Sequence, residues 1–136
     1  MRKIIFCALW LLIVVSTQAQ SNVDFDKVTL ATAELTAQYN LNQVQQIEVK
    51  KVMETSQRNL TEIAPYQTSN PSVYLAKKRA IREYVEGKLK LILKDTQLSI
   101  LEKKQADRHL AERQLRKQMK GATSAEIELA LLEMEK

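Results

Sequence analysis

His109, in the stretch ADRHLAER, is the chain's one histidine. A histidine-centred triad or a histidine-ligated zinc site needs further ligands or an orienting partner, and this residue has none at a useful spacing. Its surroundings read as a solvated helix face. Glu126 and Glu128 bring two carboxylates close in sequence, again among what look like helix surface charges. Met53, Met119 and Met134 are too widely spaced to suggest a copper site. No glycine-rich loop is present to hold a phosphate. The sequence therefore assigns no catalytic residue, no metal ligand and no cofactor, and an enzyme is not expected.

The elements that carry these residues are all helical. Residues from 20 onward contain two glycines, Gly87 and Gly121, two prolines, Pro65 and Pro71, and few aromatics. Ala, Leu, Glu, Lys, Gln and Arg, the strong helix formers, make up most of the rest. A first helix starts at Asp24 or Asp26, carries Val28, Leu35 and Tyr39 on one side, and ends near Asn40. A second spans 43–64, with Val49, Val52, Met53, Ser56, Leu60 and Ile63 on one face, and is stopped by Pro65. After the linker PYQTSN, Asn70 and Pro71 restart a helix with Tyr74, Ile81, Val85, Leu89 and Ile92 in a stripe. Gly87 inside it marks a bend or a close approach. A fourth helix begins near Asp95 and becomes charge-dominated from Glu102 to Lys120. Gly121 ends it, and TSAE at 123–126 reads as a capping box for a short last helix. No strand pattern competes, so the expected class is all-α, a hairpin-based protein of four to five helices.

The N-terminus sets the expected compartment. Arg2 and Lys3 precede an apolar run from Ile4 to Val15, then a polar, small-residue stretch, the pattern of a secretory signal peptide cleaved after Ala19. The run is short of the roughly 20 residues a transmembrane helix needs. Cleavage would remove Cys7, which lies too early for a lipidation site, so neither disulfides nor thiol chemistry is expected in the remainder. The expected organisation is a signal peptide at 1–19, one helical domain at 20–120, and a short helix or tail at 121–136.

One frame occurs twice. LNQVQ at Leu41–Gln45 and LKDTQ at Leu93–Gln97 each place a glutamine four residues after a leucine, at the start of a helix. In L-T-x-x-Q the second residue is the N-cap and the glutamine is N3, which reaches back to the N-cap amide. Asn42 suits the cap. Lys94 cannot accept a hydrogen bond, so the second cap is expected to slide to Asp95, with Leu98 packing against Leu93. Gln45 also extends the Val49 stripe by one turn, so it should face the interior and need its hydrogen bonds met.

With the signal peptide and the hairpin between the frames, the arrangement over about Leu35 to Arg113 resembles the Spy/CpxP family of periplasmic proteins, marked by paired L-T-x-x-Q motifs. The resemblance implies a thin, curved helical dimer with ATP-independent chaperone activity or an envelope-stress role. Only Leu41, Asn42, Gln45, Leu93 and Gln97 carry over, as structural positions.

The charge pattern is compatible with that role. The net charge is +5, and long basic side chains beside apolar groups can attract unfolded chains by both charge and apolar contact. The candidate client-binding residues are Lys50, Lys51, Met53 and Arg58 on the second helix and Lys77, Lys78, Arg79 and Arg82 on the third. The expected partners are unfolded or misfolded envelope proteins and a second copy of the chain, since one thin layer of helices leaves apolar surface uncovered. Nucleic acid is not expected, because the basic residues lack interleaved aromatics, and no stable membrane anchor is expected after cleavage. The alternatives are a periplasmic regulator that binds a sensor kinase and a metal-responsive helical protein.

Overall fold

The computed structural model describes residues 23–134. The signal peptide and its cleavage site lie outside the described residues. The described residues form six helices and no strand: α1 Phe25–Tyr39, α2 Gln43–Ile63, α3 Tyr66–Ser69, α4 Pro71–Ile92, α5 Asp95–Gln118 and α6 Ser124–Met134. None of them is long and apolar enough to cross a membrane.

Local chemistry explains most of the boundaries. Asp24 caps α1 by accepting from the Lys27 N–H at 3.2 Å. Asn40 ends the helix in the left-handed region, φ 50°, a conformation that Asn tolerates better than most residues. Asn70 accepts from the Val73 N–H at 3.3 Å and Pro71 opens α4. Thr123 and Glu126 form the expected reciprocal cap of α6, with Thr123 N–H donating to Glu126 Oε2 at 2.7 Å.

Three local expectations need correction. The PYQTSN linker is not an open loop, because Tyr66–Ser69 makes one helical turn whose carbonyl at Tyr66 accepts from the Asn70 N–H. Gly87 makes no close approach. A Cβ there would meet nothing within 4 Å, and α4 runs unbroken through it. The cap of α5 does not slide to Asp95 either. Lys94 holds the N-cap position through its backbone, its carbonyl accepting from the Gln97 N–H at 2.9 Å, while Asp95 takes φ 44° as the first helical residue.

Packing is built around α2, which lies against both α1 and α4. The core joins Val28 and Tyr39 of α1, Val49, Val52 and Met53 of α2, Leu89 of α4 and Leu101 of α5. Both motif leucines, Leu41 and Leu93, are buried in that same core, so each corner between helices is anchored by its own apolar side chain. Leu98 packs against the core from α5. Beyond it, α6 folds back along α5 and α4, and its Ile127 and Leu131 are buried.

Candidate functional site

The two frames meet in space. Gln45 and Gln97, the N3 residues of α2 and α5, are bonded to each other through both amides. Gln45 Nε2 donates to Gln97 Oε1 at 2.7 Å, and Gln97 Nε2 donates to Gln45 Oε1 at 3.1 Å. Each Oε1 also accepts from the N-cap amide of its own helix, Asn42 N–H at 3.1 Å and Lys94 N–H at 3.2 Å. Each Nε2 also donates to the backbone carbonyls that end the helix before its partner's. Gln45 reaches Ile92 at 3.0 Å, and Gln97 reaches Tyr39 at 3.0 Å and Asn40 at 3.3 Å.

That pattern explains why one small chain uses the frame twice. The corner α1–α2 and the corner α4–α5 are the same device, and each glutamine starts its own helix while finishing the other corner's. Five helix-end backbone groups and both amides are satisfied together. The arrangement binds ends of four helices at one point and offers no acid, base or nucleophile.

The basic residues do not form one surface. On α2, Lys50, Lys51 and Arg58 are exposed, but Met53 is only 8% exposed and belongs to the core. Its position one residue after Val52 turns it onto the buried stripe, so it is not available to a client. The stretch 77–82 divides by helical phase. Lys77 is exposed, its Nζ 5.6 Å from the centre of the Tyr66 ring, and Lys78 lies 6.0 Å from that of Tyr74. Arg79 turns toward α5, pairing with Glu83 at 2.9 Å and Glu112 at 3.8 Å.

Arg82 is committed elsewhere. Its Nη1 donates to Glu128 Oε1, and Arg108 Nη2 of α5 donates to the same oxygen at 3.1 Å. Glu128 is only 3% exposed. The expectation that it is a surface charge is therefore wrong, and Arg82, offered as a client contact, is engaged in this ion pair. Together Arg82, Glu128 and Arg108 tie α4, α5 and α6. A sequence signal for this exists: Glu128 sits three residues after Ala125 and three before Leu131, an acid in the middle of α6's inward stripe.

Electrostatics elsewhere is local. The Arg116 hydrogen bonds at 2.8 and 3.2 Å, with the charges of Arg79 and Arg116 behind them, hold the Glu112 carboxyl below its usual range against a smaller opposing effect of burial. Burial, and next the charge of Glu86, pushes the Tyr39 phenol up. His109 is exposed, with Nδ1 4.0 Å from Glu112. Among the described residues no three His, Cys, Asp or Glu side chains are grouped so as to hold a metal ion.

No family model matches the chain, nor does any curated protein or solved structure. The fold and the geometry above therefore stand as the basis for function.

Proposed function

We propose that the protein is an ATP-independent periplasmic chaperone or envelope-stress protein that binds unfolded clients, acting as a homodimer. The observation that carries this reading is the outer face of α2. Val44 and Ile47 are 66% and 59% exposed, and at helical spacing they continue into the exposed cations Lys51 and Arg58, with Lys50 alongside. A cation row beside uncovered apolar groups suits an unfolded chain that exposes both methyl groups and carboxylates. Such contacts are worth about 25 cal/mol per Å² and hold loosely enough to allow release. The client face is thus narrower than the residue types suggest: Lys50, Lys51 and Arg58, with Lys77 and Lys78 as a second basic patch on α4, and without Met53 and Arg82. Arg79 is part of the ion pairs toward α5.

The test is light scattering of a chemically denatured client diluted into buffer without ATP. Suppression at near-stoichiometric protein, weakened by salt and lost in Lys50→Glu/Lys51→Glu/Arg58→Glu, is the expected result. No suppression at large excess, with circular dichroism showing folded protein, overturns the chaperone reading and leaves binding to one defined signalling partner as the successor.

A further inference from the structure

A cleft of about 500 Å³ opens between α1, α4 and α5. Its volume falls in the roughly 300–1,000 Å³ typical of pockets for small organic ligands. Leu89 and Leu101, both buried, and Leu35 and Val85, both partly buried, make it mainly apolar. Most of its lining side chains are nonetheless polar, three of them basic and one acidic. Lys104 donates from Nζ to Gln38 Oε1 at 3.0 Å, a neutral partner, and no carboxylate pairs with this ammonium among the described residues. The Gln38 Nε2 atom beside it is covered and makes no hydrogen bond of good geometry, its nearest acceptor being the Tyr39 phenol, whose upward shift the Gln38 side chain opposes. Arg82 and Arg108 edge the same cleft, both already paired with Glu128, and Glu86 lines it as well.

We propose that this cleft binds an apolar monocarboxylate of fatty-acid type, with the tail against Leu35, Val85, Leu89 and Leu101 and the carboxylate on Lys104. Two observations select the headgroup. An ammonium held only by an amide oxygen gains a stronger, charge-assisted hydrogen bond when a carboxylate replaces that oxygen. Releasing the Gln38 carbonyl in the same step lets its amide turn, so that the orphan donor acquires an acceptor, whereas an unpaired buried donor is costly. A neutral headgroup supplies no counter-charge, and a cationic one meets the Lys104 ammonium. This site lies between α1, α4 and α5, not on the outer stripe of α2, and its test is independent of client binding.

The experiment is calorimetric titration of the full chain with decanoate, decanol and decyltrimethylammonium, each below its micellar concentration. Saturable binding of decanoate at one site per chain is expected, with decanol weaker and the cation weaker still. Lys104→Met keeps the apolar stem and removes the charge, and should weaken decanoate by about tenfold or more while leaving decanol unchanged. Leu35→Trp, placed to fill the cleft, should abolish binding of all three, with the circular dichroism melt recorded alongside. Since Lys104 is exposed, Lys104→Met tests the headgroup even if the Trp variant does not fold. Equal affinity for the three probes, decanoate binding indifferent to Lys104→Met, or no saturable decanoate binding each overturns the proposal.

Discussion

Gln45 and Gln97, fifty-two residues apart, exchange amide hydrogen bonds at 2.7 and 3.1 Å. Because each amide also serves the start of its own helix and the end of the helix before its partner's, loss of either side chain strands groups at both corners. A buried donor or acceptor left without a partner costs about 1–3 kcal/mol. Gln45→Ala and Gln97→Ala should each destabilise the fold by about 2–3 kcal/mol, read from urea unfolding followed by circular dichroism. The double variant should cost less than the sum by about 1 kcal/mol or more, the signature of direct contact. Strict additivity would mean that the two corners are held independently.

Half of that relationship is legible in the sequence. Gln45 lies one turn before Val49 on the buried stripe, and Asn42 is a good cap, so an inward glutamine needing partners follows from local rules alone. That its partner is Gln97 does not follow, because nothing local to either helix start says that the two corners touch. The same limit governs the basic residues. Arg79 and Arg82 look like Lys77 and Lys78 in sequence, and only the approach of α5 and α6 separates them. Met53 was ambiguous for a different reason: its side chain suits a core and a client surface equally, and its phase beside Val52 decides for the core. The position of Lys94 shows a backbone carbonyl doing what its side chain cannot, which residue type alone does not reveal.

Glu128 provides the second prediction. Removing it takes from Arg82 and Arg108 the buried carboxylate they share, and breaking a buried pair from one side costs about 3–5 kcal/mol. Glu128→Ala should destabilise by about 3 kcal/mol and should release α6 first, seen as faster amide exchange at Ile127 and Leu131 than at Val49. Replacing all three members with apolar residues, Arg82→Met/Glu128→Leu/Arg108→Met, should recover most of that loss. If Glu128→Ala leaves exchange in α6 unchanged, the triad does not hold the helix.

Met53 and Lys51 separate core from surface on one helix. Met53→Ala removes a buried side chain from the core around Val49 and Leu89, and should cost about 2–4 kcal/mol. Lys51→Glu changes an exposed side chain and should move stability by no more than about 0.5 kcal/mol. Client protection should respond in the opposite order when measured well below the melting temperature, falling for Lys51→Glu and holding for Met53→Ala.

Acid should loosen the α4–α5 contact through Glu112. Its carboxyl is held below the usual 4.5 chiefly by the Arg116 hydrogen bonds. A carboxyl whose folded-state pKa lies below its unfolded value contributes stability that is complete above the unfolded value and lost as pH falls through the folded one. Asp24 and Glu126, each lowered first by a backbone hydrogen bond at its helix start, act in the same direction. The urea midpoint should therefore hold from pH 7 to about 5 and decline below that range. Glu112→Gln should cost about 0.5–1 kcal/mol at pH 7, as partly exposed pairs do, and should match the parent near pH 3. A constant difference between the two proteins across that range would remove Glu112 from the acid response.

Asp95 offers a change in the stabilising direction. It takes φ 44° as the first residue of α5, where an L side chain crowds the following carbonyl at a cost of roughly 1 kcal/mol and glycine does not. Asp95 is the only acid in the first turn of α5, so glycine also gives up a favourable charge near the helix N-terminus, worth about 0.3–1 kcal/mol at low salt. The two effects separate by ionic strength. Asp95→Gly should be close to neutral in dilute buffer and should gain on the parent, by up to about 1 kcal/mol, once salt screens the helix-end charge. Asp95→Ala keeps the crowding and loses the charge, so it should be less stable than Asp95→Gly at every salt concentration, and less stable than the parent until salt screens the charge. If Asp95→Ala equals Asp95→Gly, the left-handed backbone at this corner carries no strain, and the geometry by which Lys94 presents its amide to Gln97 costs the fold nothing.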